Sequence, residues 1–194
     1  MLTGKDYQKK AEAKYEIAYK TPDYYRRSAG LHQTATVLEH LSFKSVLDVG
    51  CGPGYSLIKF LIHGKKVMGT EVCTHLMNTA LIGLNNNGVI TVARASYLPF
   101  DNDSYDLVYC TDVLEHIPEQ DCEQSIKELI RVAAKYIYVS VSTVPANFHK
   151  ELGLHETVKP AQWWYDIFNK FRVKEVTKLA KEGQYGFAKC YKKL

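Results

Sequence analysis

The chain has 194 residues, 46% hydrophobic and 24% charged, a one-domain length and a globular mix that exclude disordered, collagen-like and coiled-coil chains. Its net charge of +4 is too small for a nucleic-acid-coating protein, and it is unevenly spread: +2 over residues 1–40, −3 over 41–149 and +5 over 150–194. The polar start, the lack of any run near the roughly 18 apolar residues of a membrane span, and five scattered cysteines without a Cys-x-x-Cys pair point to a reduced, cytoplasmic protein with buried free thiols and no membrane partner. The seven histidines show no zinc-ligand spacing either, so no metal is expected.

Residues 4–20 read as a helix, because Tyr7, Ala11, Tyr15 and Ala18 recur at helical spacing and Thr21-Pro22 stops the run. A second helix is expected from Ser28 to Leu41. The pattern then changes to short apolar runs. Strands are predicted at Ser45–Val49, Lys66–Glu71, Val89–Ala93, Tyr105–Cys110 and Tyr136–Val141, with helices at Leu57–His63, His75–Leu84 and Gln120–Ala134 between them. That alternation implies βαβ units and a parallel sheet covered on both faces. Phe171–Leu179 and Gln184–Tyr191 are two further strand-like runs joined by Ala180–Gly183, a link too short for a crossover helix, so an antiparallel hairpin should close the sheet.

The stretch Val49-Gly50-Cys51-Gly52-Pro53-Gly54-Tyr55 lies between the first strand and its helix. Glycines there allow a tight turn and close approach of a ligand to the backbone at the sheet's carboxyl edge. A dinucleotide fingerprint would place its third glycine at position 55, which is Tyr55, so the spacing disfavours NAD. Glu71 follows Gly50 by 21 residues at the end of the second strand, where a carboxylate can accept both hydroxyls of a ribose. Asp48 is a carboxylate inside an apolar run, a costly placement unless it receives hydrogen bonds or faces a cation.

These residues, with Leu98-Pro99-Phe100 before the fourth strand and Val113-Leu114-Glu115-His116-Ile117 after it, resemble the class I S-adenosylmethionine-dependent methyltransferases, nearest the small single-domain, type 11-like branch. The likeness covers residues 44–141. It implies a doubly wound, Rossmann-like α/β sheet of seven strands, mostly parallel with an antiparallel C-terminal strand. It also implies a single domain with an N-terminal helical lid (1–43), a cofactor core (44–141) and an acceptor-side insertion with the terminal hairpin (142–194). By the same resemblance, S-adenosylmethionine, leaving as S-adenosylhomocysteine, would be held by Asp48, Gly50, Cys51, Gly52 and Gly54 at its methionine and sulfonium end. Glu71 would take the ribose, Val72, Ala95 and Ser96 the adenine, and the main chain at Cys110 and Thr111 the amino-acid end. Arg94 stands where the family often has Asp, so Ser96 or a carbonyl would have to receive the adenine amino group.

Methyl transfer is an in-line displacement that depends chiefly on alignment, with a base needed only when the acceptor must lose a proton. Candidates after the fourth strand are Asp112, Glu115 and His116. The histidine is favoured because its ordinary pKa lies near working pH, with a packing role equally open. His155 is a further candidate from the insertion, and Tyr24, Tyr25 and Trp163 are candidate acceptor contacts, with ordinary packing as the alternative for the tyrosines. The expected reaction is methylation of an O or N atom of a small molecule by a monomer or weak dimer. The alternatives are an RNA or protein acceptor drawn to the basic ends, and a non-catalytic cofactor-binding subunit.

Overall fold

The structure is a computed structural model that describes residues 4–21, 30–74, 88–147, 149–176, 181–183 and 186–194. Helix α1 is Gly4–Tyr19 and α2 is Gln33–His40; then come β1 (Ser45–Val49), α3 (Tyr55–Ile62), β2 (Lys66–Glu71) and β3 (Ile90–Val92). They are followed by β4 (Tyr105–Thr111), a 3₁₀ turn at Leu114–His116, α4 (Glu119–Val132) and β5 (Ala133–Ser142). A second 3₁₀ turn (Lys150–Leu152), α5 (Ala161–Phe168), β6 (Val173–Glu175), β7 (Lys181–Gly183) and β8 (Gly186–Lys193) complete the chain. The helix expected at His75–Leu84 lies outside the described residues.

The strands run in the order β3-β2-β1-β4-β5-β8-β6, with β7 paired to β8 off this path. β3, β2, β1, β4 and β5 are mutually parallel, and β8 is antiparallel to both of its neighbours in the path. The mostly parallel doubly wound sheet is therefore present, with its reversed strand near the C-terminus. Period-2 alternation divides the central strands between two faces. Leu47, Val108, Ile137 and Val139 pack with Ile126 and Leu129 of α4 and Trp164 and Phe168 of α5. Val46, Leu107, Tyr109 and Tyr138 pack on the other side with Val37 of α2 and Phe60 of α3. The two faces are buried throughout, which is why these strands read as continuous apolar runs.

Three boundaries differ from expectation. α2 starts at Gln33, not at Ser28, because Gly30 is pressed against Thr111 and Tyr109; the Tyr109 hydroxyl donates to the Gly30 carbonyl, and a Cβ at Gly30 would run into Thr111 Oγ1. α4 ends at Val132, and Ala133 pairs with Tyr105 as the first residue of β5, so sheet pairing overrides the helical preference of Ala133-Ala134. At the C-terminus, Lys181–Gly183 is itself a strand, in register Lys181↔Ala188 and Gly183↔Gly186. Lys181–Gly183 is thus part of the sheet and not of the Ala180–Gly183 link the apolar pattern suggested.

The Leu98-Pro99-Phe100 signature has a physical role. Leu98 is buried, its N–H donates to Glu128 Oε2 at 2.9 Å, and Arg131 donates to the Leu98 and Phe100 carbonyls at 2.9 and 2.7 Å. Arg131 is held in turn by Glu128 at 2.7 and 2.8 Å, a two-point pairing of guanidinium and carboxylate. α4 thereby fixes the loop that leads back from Arg94–Ser96.

All five cysteines are buried and free. Among the described residues, no helix is long and apolar enough to cross a membrane.

Candidate active site

The carboxyl ends of β1, β2 and β4 converge on one edge. After β1, the N–H groups of Gly50 and Cys51 both donate to the Thr70 carbonyl, at 2.8 and 2.9 Å, bending the chain back across β2. Gly50 sits at φ +73°, in the left-handed region, and a Cβ there would run into Val113. Gly54 caps α3 at φ +91° and makes the turn; it lines neither of the chambers described below.

Glu71 ties this loop to β2. One carboxylate oxygen accepts from the Gly52 N–H at 3.0 Å, the other from Val72 and Cys73 at 2.8 and 3.0 Å. Burial raises its pKa, against the pull of those three N–H groups. Asp48 is also buried, and burial together with the nearby Glu71 pushes it up to about 8. A carboxyl in that state complements a cation, which would draw it back to the ionised form.

Two chambers open along this edge. The first, about 700 Å³ including its open mouth and about 100 Å³ without it, is lined by Glu71, Val72, Ala95 and Ser96, with Arg94 and Val113 beside them. The second, about 1570 Å³ including its open mouth, is lined by Asp48, Cys51, Gly52, Thr111 and His155. Gly50, Asp112, His116 and Tyr19 line both. A long ligand can therefore run from one chamber to the other over the glycine loop. Asp48, the Gly50 cradle that a Cβ would fill, and the open Glu71 wall all suit a cofactor with a cationic amino-acid end and a nucleoside end.

After β4, Asp112 adopts φ +53°, an unusual conformation for a residue with a side chain and of the strained kind found at functional sites. His116 stands between Tyr15 (ring centroids 5.8 Å) and His155 (4.8 Å, edge to face). Its Nδ1–H donates to the Leu154 carbonyl at 2.9 Å, and that of His155 to Val144 at 2.6 Å. Burial first, then His155 and Lys14, push the His116 pKa down to about 3. A ring held that low is neutral near pH 7, its Nδ1–H fixed by the Leu154 carbonyl. Glu115 is fully buried, one oxygen accepting from the Ser142 N–H at 2.8 Å. Burial and Asp112 raise it well above the usual carboxylate range.

Other candidates fall elsewhere. Cys110 is buried and lines neither chamber. Trp163 also lies away from both, packed edge to face on the buried Trp164 with Lys159 over its ring, so it does not reach the acceptor side. Tyr24 and Tyr25 lie outside the described residues. The aromatic wall comes instead from α1, through Tyr15 and Tyr19 beside Ala11. The i, i+4, i+8 stripe Ala11–Tyr15–Tyr19 carried that signal, since phenols rather than aliphatic side chains occupy an inward face.

A family profile described as "Methyltransferase domain" matches residues 47–136. The ubiquinone biosynthesis O-methyltransferase of Paraburkholderia xenovorans (strain LB400) is 31% identical over 84 residues, 41% of this chain and 36% of that protein. That of Coxiella burnetii (strain RSA 331 / Henzerling II) is 27% identical over 159 residues, 74% of this chain and 64% of that one. The chain thus spans 36% of the length of the first curated relatives it matches. Among solved structures, the Burkholderia thailandensis 1,6-didemethyltoxoflavin-N1-methyltransferase with bound 1,6-didemethyltoxoflavin and S-adenosylhomocysteine shares the fold. Its TM-score is 0.74 at 13% identity, over 100% of this chain and 91% of that one. The match to a methyltransferase-domain profile thus covers residues 47–136, within a sheet whose fold is that of the solved methyltransferase structure.

Proposed function

We propose that the chain transfers the methyl group of S-adenosylmethionine to an oxygen or nitrogen atom of a small-molecule acceptor. The observation that carries this reading is the meeting of the two chambers at Gly50, Asp112 and His116. In this reading Glu71, Val72, Ala95 and Ser96 hold the nucleoside, and Asp48 with the Gly50–Gly52 main chain holds the amino-acid end. Thr111 lies beside that end, and Cys110 acts only through β4. When bound, the cofactor supplies a methyl group made electrophilic by a sulfonium.

The protein's part is alignment and exclusion of water. Tyr15 and Tyr19 roof the junction, and the insertion that carries His155 closes the acceptor side. His116 and His155, each oriented by its Nδ1–H on a main-chain carbonyl, line the chamber on the acceptor side. The relatives include a ubiquinone biosynthesis O-methyltransferase and a phosphoethanolamine N-methyltransferase, which supports keeping both acceptor atoms in view.

An RNA acceptor held by the basic C-terminal region is less well supported. Lys159, Lys170, Lys189 and Lys193 are paired with Glu119, Glu123, Glu175 and Asp103. Calorimetry with S-adenosylhomocysteine beside NAD tests the cofactor, and micromolar binding of the first alone is expected. Incubation with methyl-labelled cofactor and fractionated cell extract tests the acceptor. Label in a low-molecular-weight fraction is expected; NAD binding alone, or label only in RNA or protein, would overturn the proposal.

A further inference from the structure

His116 and His155 are 39 positions apart in sequence, so no ligand spacing shows in the linear pattern. The fold brings their ring nitrogens and a carboxylate oxygen of Glu115 within 4.8 Å of one another. Two features make this more than a chance cluster. Both imidazoles donate Nδ1–H to main-chain carbonyls, of Leu154 and Val144, the outer-shell arrangement that fixes the tautomer and ring orientation of a metal-ligating histidine. And while one Glu115 oxygen takes the Ser142 N–H, the other is buried with no hydrogen-bond partner among the described residues. An unsatisfied buried carboxyl oxygen is costly, and it calls for a partner the protein itself does not supply.

The cluster is also braced. The N–H groups of Glu156 and Thr157 donate to the Glu115 carbonyl at 2.8 and 2.9 Å, stapling the insertion that carries His155 to the residue that offers the carboxylate. Asp112 follows β4 at the rim of the same space.

We infer that Glu115, His116 and His155 form a site for a divalent first-row transition ion at the wall of the acceptor chamber. Two imidazoles and one carboxylate favour zinc or its neighbours over magnesium or calcium, and three protein ligands leave a coordination position open. Three ligands each about 2.1 Å from one tetrahedral ion lie about 3.4 Å apart, so loading the site draws the most distant pair together by up to about 1.4 Å. Resting on the methyltransferase reading, the inference narrows the acceptor to one with a hydroxyl. That hydroxyl fills the open position and is acidified there, its proton leaving to solvent. The oxygen lone pair then forms the O–CH₃ bond as the S–CH₃ bond breaks, its electron pair passing to sulfur to give the neutral thioether.

The test is titration of the chelator-treated full chain with Co²⁺, followed by visible absorption and calorimetry, with S-adenosylhomocysteine affinity measured on the same samples. One equivalent of Co²⁺ should bind with ligand-field bands in the visible. Glu115→Gln and His155→Ala should each weaken it at least about 10-fold, with S-adenosylhomocysteine affinity within twofold of the parent. His63→Ala, away from the site, should change nothing. Cofactor affinity reports folding of each variant, and Glu115→Gln, which keeps the side chain's shape, carries the test if His155→Ala misfolds. No stoichiometric Co²⁺ binding by the parent chain, or binding that both variants retain, would overturn the inference. Cobalt binding without S-adenosylhomocysteine binding would leave the metal site standing and sink the methyltransferase reading instead.

Discussion

Around Glu71, the first chamber's cradle is main chain from neighbouring strand ends, with side chains of α1 and of the turn after β4 brought in from further away. Gly50 and Cys51 fold onto Thr70, and Glu71 gathers the N–H groups of Gly52, Val72 and Cys73. On the acceptor side, the walls are side chains drawn from far apart. His116 is held by Leu154, His155 by Val144, and Lys14 of α1 meets Glu156 at 2.5 Å. The first construction leaves little freedom, because a backbone cradle depends on torsion angles that few residues adopt. The second can vary residue by residue without disturbing the sheet. In the proposed reading, substitutions in the second construction change the acceptor while the cofactor cradle stays as it is.

That contrast is most easily broken at Gly50. Gly50→Ala puts a Cβ at φ +73° against Val113. Left-handed strain of about 1–2 kcal/mol plus the displaced valine should cost roughly 3 kcal/mol of cofactor binding, more than 100-fold in S-adenosylhomocysteine affinity by calorimetry. An affinity within threefold of the parent would show that the loop does not touch the cofactor. Glu71→Gln comes next. It exchanges a carboxylate serving three N–H groups for an amide with a single acceptor oxygen. A loss of about 2 kcal/mol is expected, some 30-fold in the same titration. An unchanged dissociation constant would remove Glu71 from the ribose.

The same contrast explains what the sequence disclosed. The strand boundaries of β1 and β2, the glycine loop, Asp48 and Glu71 were legible because local rules dictate them: a buried strand, a tight turn, a carboxylate at a strand end. The metal-ligand cluster was not, since His116 and His155 meet only once the insertion after β5 folds back on Glu115. Tyr15 and Tyr19 were half legible. Their helical spacing was plain, but which face turns toward the sheet edge depends on α1 docking against the insertion. The terminal hairpin was misplaced because Lys181-Glu182-Gly183 lacks an apolar pattern and is set by its register with β8.

Asp48 sharpens the comparison through pH. Its folded-state pKa of about 8 exceeds the ordinary value near 4, so the folded protein holds the proton longer than the unfolded chain does. Its burial therefore costs nothing below pH 4 and costs progressively more as pH rises toward 8. A cationic ligand end favours the ionised carboxylate, so S-adenosylhomocysteine binding releases a proton and tightens by up to about tenfold per pH unit between pH 6 and 7.5. Asp48→Asn should flatten that profile, and should gain stability relative to the parent as pH rises through the same window. A parent profile already flat would mean that Asp48 does not face the bound amino-acid end.

The acceptor side offers the reverse control, a change that costs stability and spares the cofactor. Thr157 is buried, its hydroxyl donates to the Ile117 carbonyl at 2.6 Å, and its N–H joins that of Glu156 on the Glu115 carbonyl. Thr157→Val keeps the shape and the main-chain bonds but leaves the Ile117 carbonyl without its hydroxyl partner. About 1 kcal/mol of stability should be lost, which for a chain of this size lowers the melting temperature by about 2–4 °C. S-adenosylhomocysteine affinity should stay within twofold, because none of the loop, Glu71 or Asp48 is touched. If affinity fell in step with stability, the two chambers would be one cooperative unit, and the freedom to change acceptor would have to come from the side chains facing the mouth rather than from the insertion as a whole.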